Sequence, residues 1–211
     1  MKFEKVTLEG NNVRLEPLGL HHKEGLITAF SDGELWNIMY TFVPRVEDVD
    51  YFILEAERQW EKGSALAYAI VDKATGNVAG TSRFKNTCWA NRRVEVGYTF
   101  LGQSYQRTAI NTETRLLMFS HAFESLEFIR VGFFIDYLNH NSRSAMLRLG
   151  AKEEGILRNH MIMPDGRTRD SVVFSIIQNE WQGVKQNLNY KLAQHRNSAQ
   201  VIDLMEHTAT T

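Results

Sequence analysis

The fold is decided by residues 93–113, RVEVGYTFLGQSYQRTAINTE, which lead from a predicted strand through a loop into a predicted helix. The strand, Val94–Leu101, alternates between an apolar face and a second face: Val94, Val96, Tyr98 and Phe100 against Glu95, Gly97 and Thr99. A helix is predicted over Asn111–Glu124, and the apolar run Ile129–Ile135 is typical of a strand buried on both faces. Strand, helix and strand in this order form a βαβ unit, so the two strands are predicted to be parallel.

Further elements flank this unit on both sides. Apolar periodicity predicts, in chain order, a strand at Val13–Glu16, helices at Leu20–Phe30 and Glu47–Lys62, strands at Leu66–Val71 and Val78–Phe84, a helix at Asn141–Leu149, strands at Glu154–Met163 and Thr168–Ile177, and a last helix from Trp181. Turn-forming residues at 72–77 and 164–166 predict two antiparallel hairpins. The fold class is therefore α/β: a mixed, mostly antiparallel sheet with one central parallel βαβ unit and flanking helices.

The length of the chain bounds its domain organisation. With 211 residues it can bury one sizeable core, and we predict a single domain over residues 1–195. The remaining tail, residues 196–211, is polar except for one apolar cluster, Val201–Met205. The tail is predicted either to be disordered or to form an interface, and in the second case the cluster contacts another subunit in a homodimer.

Composition excludes several classes of function. The formal net charge is −1 and no basic cluster is present, which argues against nucleic-acid binding. The N-terminus lacks a signal-peptide core, and no run approaches the roughly 20 apolar residues of a membrane span. One cysteine, Cys88, fits a reducing compartment, so we expect a cytoplasmic protein. The histidines have no acidic or cysteine partners at ligand spacing, so we expect no metal.

The loop before the central helix has the chemistry of an anion site. A loop that enters a helix offers unpaired N–H groups and the positive end of the helix dipole, which suit a diphosphate. Arg107 adds a positive charge, and Asn111 or Thr112 suits the N-cap position. Glu113 suits the dipole but would repel a phosphate if it pointed at one. An ordinary capped helix explains the same residues equally well.

This region also resembles a known signature. Residues 93–98 followed by 106–113 resemble the acetyl-CoA signature of the GNAT superfamily, and more narrowly the branch of ribosomal-protein N-terminal (alanine/serine) acetyltransferases. Gln106 matches the first position of the family loop, whereas Ala109 stands where glycine is usual and Asn111 where a small residue is usual. Glycine there would let the backbone approach the phosphates. The resemblance implies a GNAT-like fold and acetyl-CoA bound by Tyr98, Thr99, Phe100, Leu101, Gln106, Arg107, Thr108, Ala109, Ile110, Asn111, Thr112, Asn139 and Ser142.

A second match lies further along the chain. Residues 139–142, Asn-His-Asn-Ser, precede Gly150 and resemble the family's Asn-x-x-Ser helix start. In the family, this asparagine and the following helix hold the pantetheine arm of CoA. Asn139 or Asn141 would also be a good N-cap without any ligand. The resemblance covers the chain from about Val13 to Trp181.

The resemblance implies that an amine attacks the thioester directly in a ternary complex. Glu95 matches a glutamate that many members use as base, often through water, and burial would have to raise its pKa from about 4.3. The alternative is a surface carboxylate paired with Arg92 or Arg93. Met146 stands where many relatives have a tyrosine as general acid, so Ser142 is the candidate acid. Ser142 is equally well explained as a first-turn helix residue.

The acceptor is less well defined. The resemblance places residues 30–42 in the substrate-covering loops, where Asp32 and Glu34 could attract a cationic amine. Candidate substrate-binding residues are Trp36, Tyr40, Trp89 and His160, although aromatic residues at helical spacing are often core residues. A protein N-terminus, with a pKa near 7.7–8.0, is a better nucleophile at neutral pH than a lysine near 10.4, which favours an α-amine acceptor.

Two alternatives remain open at this point. The chain could acetylate a small molecule such as an antibiotic or a polyamine. It could also be a catalytically weak acyl-CoA-binding or regulatory module, a hypothesis motivated by Ala109, Asn111 and Met146.

Overall fold

The computed structural model describes the backbone of residues 1–208 and the side chains of residues 1–195. The strands are β1 (Leu8–Glu9), β2 (Val13–Pro17), β3 (Leu66–Asp72), β4 (Val78–Cys88), β5 (Arg93–Leu101), β6 (Arg130–Asp136), β7 (Lys152–Ile162) and β8 (Thr168–Ile177). The helices are α1 (Lys23–Ser31), α2 (Val49–Glu61), α3 (Ala109–Ser120), α4 (His140–Leu149) and α5 (Trp181–Thr208). Every predicted element is present. The two-residue strand β1 is additional, because it is too short to produce a periodic pattern.

The strands form one sheet in the order β1-β2-β3-β4-β5-β6-β8-β7. Among the described strands, β5 and β6 are parallel and all other neighbouring pairs are antiparallel. Helix α3 connects the parallel pair. The predicted mixed sheet with one central parallel unit is therefore confirmed.

A separate hydrophobic core lies on each face of the sheet. Strand β3 shows the division, since Tyr68 and Ile70 point into a core shared with α3 and α5, whereas Ala67 and Ala69 point into a core shared with α1 and α2. Alternate residues of a strand face opposite sides, so one strand serves both cores. The sheet is thus buried on both faces at its centre, which holds β5 and β6 in place for the site between them.

Strand β5 contains a bulge at Tyr98. Its φ angle of 49° is left-handed, and the pairing with β4 shifts between Thr81 and Arg83. An extra residue in one strand reverses the side to which the following residues point. Val96 therefore faces the α3 core, whereas Phe100 packs against Phe52 on the other side. The predicted single apolar face from Val94 to Phe100 is wrong beyond the bulge.

The last helix crosses the predicted end of the domain. Helix α5 runs continuously to Thr208, so the backbone shows no boundary between residues 195 and 196. The side chains of residues 196–208 and all of residues 209–211 lie outside the described part, so an interface through Val201–Met205 stays a prediction. None of the described helices is long and apolar enough to span a membrane.

Candidate active site

The central strands separate soon after they begin. β5 and β6 are paired at Arg93 with Arg130, Val94 with Val131 and Glu95 with Gly132, and the pairing then ends. From Val96 onward, none of the described strands pairs with β5 on this side. Main-chain groups beyond Glu95 are therefore available to a ligand that enters between the two strands.

Two cavities meet at this opening. The larger, about 820 Å³, is lined by the loop before α3 and is called here the loop cavity. The smaller, about 330 Å³, extends toward β7 and β8 and is called the strand cavity. Eight residues line both: Tyr40, Thr41, Thr99, Phe100, Arg115, Asn139, Ser142 and Met146. A molecule extended along the loop cavity would reach a second molecule in the strand cavity at these residues.

The loop before α3 is closed by a threonine cap. Thr108 has an extended backbone and its Oγ1 accepts a hydrogen bond from the Ile110 N–H at 3.2 Å. The same hydroxyl donates to the Tyr105 carbonyl at 2.7 Å. The helix begins at Ala109, so the predicted caps Asn111 and Thr112 are wrong: both lie inside the first turn.

The loop contains one left-handed residue, Arg107, with a φ of 62°. Ala109 and Asn111, which replace small residues of the family pattern, are both helical and have negative φ. Glycine would therefore add no necessary backbone freedom at these two positions. The strain, about 1–2 kcal/mol for a left-handed residue with a Cβ, is at Arg107 instead.

Most of the predicted cofactor-binding residues line the loop cavity. They are Thr99, Phe100, Leu101, Gln106, Arg107, Thr108, Asn111, Thr112, Asn139 and Ser142. Tyr98 lines the strand cavity instead, because of the bulge. Ala109 does not line either cavity, and the Ile110 side chain is buried in the α3 core, so these two residues offer the loop cavity only their main chain.

Glu113 points away from the loop cavity. Its buried carboxylate accepts hydrogen bonds from the N–H groups of Asn11 at 2.8 Å, Asn12 at 2.6 Å and Val13 at 3.1 Å. It therefore fixes the turn between β1 and β2 to α3. Glu113 therefore would not repel a phosphate bound in the loop cavity.

Asp32, at the end of α1, holds the loop in place. Its Oδ2 accepts hydrogen bonds from the Ser104 N–H at 2.8 Å and from the Ser104 hydroxyl at 2.7 Å, and its carbonyl accepts from the Gln103 N–H at 3.0 Å. Glu34 is exposed and accepts from Asn37 at 3.1 Å. The expectation that these two acids attract an amine is wrong, since neither lines the cavities.

Helix α4 starts beside the opening between β5 and β6. Asn139 is its N-cap and its Oδ1 accepts from the Ser142 N–H at 3.0 Å. Gly150 ends the helix in a left-handed conformation with a φ of 96°, which glycine adopts without strain. The cap places Asn139 and Ser142 on the two cavities, so the structural and functional explanations of this motif are compatible.

The arrangement matches a known family over most of the chain. Residues 12–152 match the sequence profile described as "Acetyltransferase (GNAT) domain". The chain belongs to the GNAT acetyltransferase family. It is thus an acyltransferase, and the recognition made from residues 93–113 and 139–150 is confirmed.

Individual relatives support this assignment. A protein of Bacillus subtilis (strain 168) named "Putative ribosomal N-acetyltransferase YdaF" is 31% identical over 110 residues, which span 52% of this chain and 59% of that protein. A GCN5-related N-acetyltransferase from Brucella melitensis has a similar structure, with a TM-score of 0.81, 30% identity and coverage of 91% of this chain and 87% of that one. RimJ from Mycobacterium smegmatis, solved in complex with CoA-disulfide, shares the fold at 19% identity, with a TM-score of 0.77 and coverage of 89% and 95%.

In this acetyltransferase, Glu95 lines the strand cavity. Its Oε2 lies 2.9 Å from Lys85 Nζ and accepts a hydrogen bond from Asn86 at 2.9 Å, and its side chain is 19% exposed. The alternative partners predicted from the sequence, Arg92 and Arg93, are wrong. Lys85 lies directly opposite Glu95 on β4, where cross-strand neighbours interact.

Two of the four candidate substrate residues line the site. Tyr40 lines both cavities, and His160 lines the strand cavity. The His160 ring stacks on Phe134, and its Nδ1 lies 2.9 Å from the Ser171 hydroxyl.

The other two candidates lie outside the cavities. Trp36 packs against the α1–α2 core. Trp89 precedes β5 at the end opposite the opening, where it packs on Phe3 and Phe128 and donates to the Gly63 carbonyl at 3.0 Å. Both assignments are corrected: these large apolar rings fill the hydrophobic cores rather than the pocket.

Two site residues were missed in the sequence. Asp136, at the end of β6, is buried in the strand cavity and pairs with Arg167 at 2.7 Å. Arg115 lines both cavities, and burial lowers its pKa to about 10. A signal for Arg115 was present: it lies one helical turn after Asn111 and one turn before the apolar Phe119, so a charge stands on the inward face of α3.

The histidines are less isolated than the sequence indicated. Among the described residues, Glu16, His21 and His22 place their ligand atoms within 4.8 Å of one another. His22 Nε2 lies 3.1 Å from Glu16, burial lowers the His22 pKa, and Arg14 pairs with the same carboxylate. None of its members lines either cavity.

Proposed function

We propose that this chain transfers an acetyl group from acetyl-CoA to a primary amine by direct attack in a ternary complex. The observation that carries the proposal is the opening of β5 from β6 after Glu95, at the place where the two cavities meet. One cavity then holds the donor, the other holds the acceptor, and the reacting atoms come together between them.

Donor binding is assigned to the loop cavity. The unpaired N–H groups at the start of α3 and the Arg107 side chain suit the diphosphate. Asn139 and the start of α4 hold the pantetheine arm. Main-chain N–H groups of Tyr98–Leu101 that have no strand partner stabilise the oxyanion formed from the thioester carbonyl.

The chemistry requires one bond to form and one to break. The amine nitrogen attacks the thioester carbon, the C–N bond forms and the C–S bond breaks. Glu95 removes the proton from the amine through a water molecule, and Ser142 returns a proton to the CoA thiolate. Buried Met146 contributes packing rather than a proton. Bringing both reactants together supplies much of the rate enhancement.

The proposed acceptor is the α-amine of a protein N-terminus. The low pKa of an α-amine provides the neutral nucleophile at pH 7, and Glu95 in the strand cavity is the base assigned to it. The name of the Bacillus subtilis relative agrees with a ribosomal-protein substrate. A cytoplasmic site of action and a homodimer joined through the C-terminal tail belong to the same proposal.

Two measurements test the proposal. At a hundredfold excess over its Kd, acetyl-CoA should raise the unfolding free energy by about 2.7 kcal/mol, and nucleotides without the pantetheine arm should do much less. Release of free thiol should then be faster with peptides that have a free N-terminus than with N-blocked peptides carrying lysine. Stabilisation without thiol release on any amine, including polyamines and aminoglycosides, would instead indicate a binding module.

A further inference from the structure

Arg115 is the buried cation at the junction of the two cavities. Its side chain projects from α3 and lines both, although the residue is only 7% exposed. It lies six residues after Ala109, about 9 Å further along the helix axis at a rise of 1.5 Å per residue. Arg115 is therefore well beyond the first turn, where the diphosphate is assigned, and it lines both cavities where they meet, the place assigned to the reacting atoms.

Within residues 1–195, whose side chains the structure describes, no group pairs with the guanidinium of Arg115. Its Nε and Nη1 are buried without a hydrogen bond, and no described side chain forms an ion pair with it. A buried charge without a partner is unfavourable, so an anion is expected beside it when the site is in use.

Two other buried arginines show what compensation looks like in this chain. Arg83 also has two buried nitrogens without a hydrogen bond, Nε and Nη2, but its guanidinium lies over the rings of Phe52 at 4.8 Å and Tyr98 at 4.5 Å and its Nη1 donates to Gln59. Arg169 donates to the Ser171 hydroxyl and to a main-chain carbonyl. Arg115 has neither an aromatic ring nor an acceptor among the described residues, which sets it apart as a binding group.

We propose that Arg115 binds a carboxylate at the end of the acyl group, so that the enzyme accepts CoA monothioesters of short dicarboxylic acids. This inference rests on the proposed CoA binding. The anion belongs to the donor because the acceptor is a cationic amine before it is deprotonated, and Arg115 would repel it. A carboxylate on the acyl chain pairs with Arg115 and removes that repulsion.

The transfer balances as it does for acetyl. The amine nitrogen forms a C–N bond to the thioester carbon, the C–S bond breaks, the amine loses one proton and the CoA thiolate takes one. The distal carboxylate stays unchanged and ends on the product amide. The reaction therefore adds a negative charge to the acceptor, where acetylation would only remove a positive one.

The test is a comparison of donors that does not need a known acceptor. Isothermal titration gives the Kd of succinyl-CoA against butyryl-CoA, and of glutaryl-CoA against valeryl-CoA, which match in carbon number and differ in the carboxylate. We expect wild type to bind the charged member of each pair at least about tenfold more tightly, as a hydrogen-bonded ion pair allows.

Matched variants assign the preference to Arg115. Arg115→Gln keeps a polar group but removes the charge, so it should abolish the preference for the charged acyl chains while the acetyl-CoA affinity stays within about twofold. Arg115→Lys keeps the charge and should retain part of the preference. The control Arg107→Gln removes a cation from the loop and should weaken all five CoA esters by the same factor. Thermal melting checks that each variant is folded.

The outcomes separate this inference from the proposed function. Tight binding of acetyl-CoA with no preference for charged acyl chains in wild type overturns the role of Arg115 and leaves acetyl transfer standing. A preference that survives Arg115→Gln also overturns it. Failure of every CoA ester to bind overturns the proposed function itself.

Discussion

The loop cavity and the strand cavity are built in different ways. Much of the loop cavity comes from residues close in sequence, 99–112 and 139–149, and its proposed contacts are largely main-chain groups at helix starts. The strand cavity is lined by side chains from several distant segments, including residues 40–42, 85–86, 133–136 and 160–161. The loop cavity, the proposed donor side, therefore depends on local backbone conformation, whereas the strand cavity, the proposed acceptor side, depends on tertiary contacts. Substitutions on the two sides should change different measured quantities.

The largest effect is expected at Glu95, on the strand cavity. Glu95→Gln should lower kcat at pH 7 by about 100-fold or more, because a positioned base contributes a factor of 10² to 10⁴. The Kd of acetyl-CoA should change little, since Glu95 lines the strand cavity and not the loop cavity. Steady-state thiol release and titration calorimetry measure the two quantities.

A matched control for Glu95 is Glu57→Gln. Glu57 also pairs with a lysine, Lys5 at 2.7 Å, but on the outer surface of α2, so its loss should leave kcat unchanged. An unchanged kcat for Glu95→Gln would remove Glu95 from the mechanism. A parallel loss of CoA affinity would show that the two sides are not separate.

This division also explains what the sequence could reveal. The loop, its helix and the cap at Asn139 were recognised because each depends on neighbouring residues and on turn and capping chemistry. The cap is Thr108, three or four residues before the predicted positions, and the prediction missed it because Asn111 and Thr112 have equally good capping side chains. Local patterns therefore predicted the elements that line the loop cavity but not their detailed geometry.

The acceptor side could be recognised only in part. A bulge at Tyr98 leaves no mark in a pattern of alternating residues, so the faces beyond it were assigned incorrectly. The partner of Glu95 is Lys85, ten residues away, and the pairing depends on the register between β4 and β5. Trp89 was predicted to line the pocket because the sequence does not reveal at which end of β5 the gap between β5 and β6 lies.

The second prediction concerns Glu113, which lies on α3 but faces away from the loop cavity. Glu113→Gln should lower the free energy of unfolding by about 2–3 kcal/mol, because an amide NH₂ cannot accept the backbone N–H groups that now bind a buried carboxylate. Urea denaturation at pH 7 measures this loss, and the acetyl-CoA Kd of the folded variant should stay close to that of wild type.

The control for Glu113 is Glu9→Gln in the same turn region. Glu9 forms an exposed pair with Lys73, so its loss should cost less than about 1 kcal/mol. If Glu113→Gln instead weakened CoA binding at unchanged stability, the conclusion that Glu113 lies on a face of α3 that does not contact the ligand would be wrong.

The third prediction tests the support of the loop from α1. Asp32→Ala removes two hydrogen bonds to Ser104 and should raise the acetyl-CoA Kd about tenfold, since the loop must then be ordered on binding. Turnover at saturating donor should change little. Glu34→Ala is the control. Glu34 is exposed, and within the described residues its side chain hydrogen-bonds to Asn37 alone. Equal effects of the two substitutions would indicate a general charge effect instead of loop positioning.

The smallest effect is expected at Ser142, where the two cavities meet. Ser142→Ala should lower kcat by only several-fold at pH 7, because a thiolate with a pKa near 8.5 can leave without a proton donor. Above that pH the released thiol no longer needs the proton, so the difference from wild type should shrink as the pH rises from 7 to 10. Ser144→Ala, an exposed position on the same helix, serves as the control. If the ratio of the wild-type to the Ser142→Ala rate stayed constant across this range, Ser142 would not be the proton donor. Its role would then be to position the donor in the loop cavity through α4.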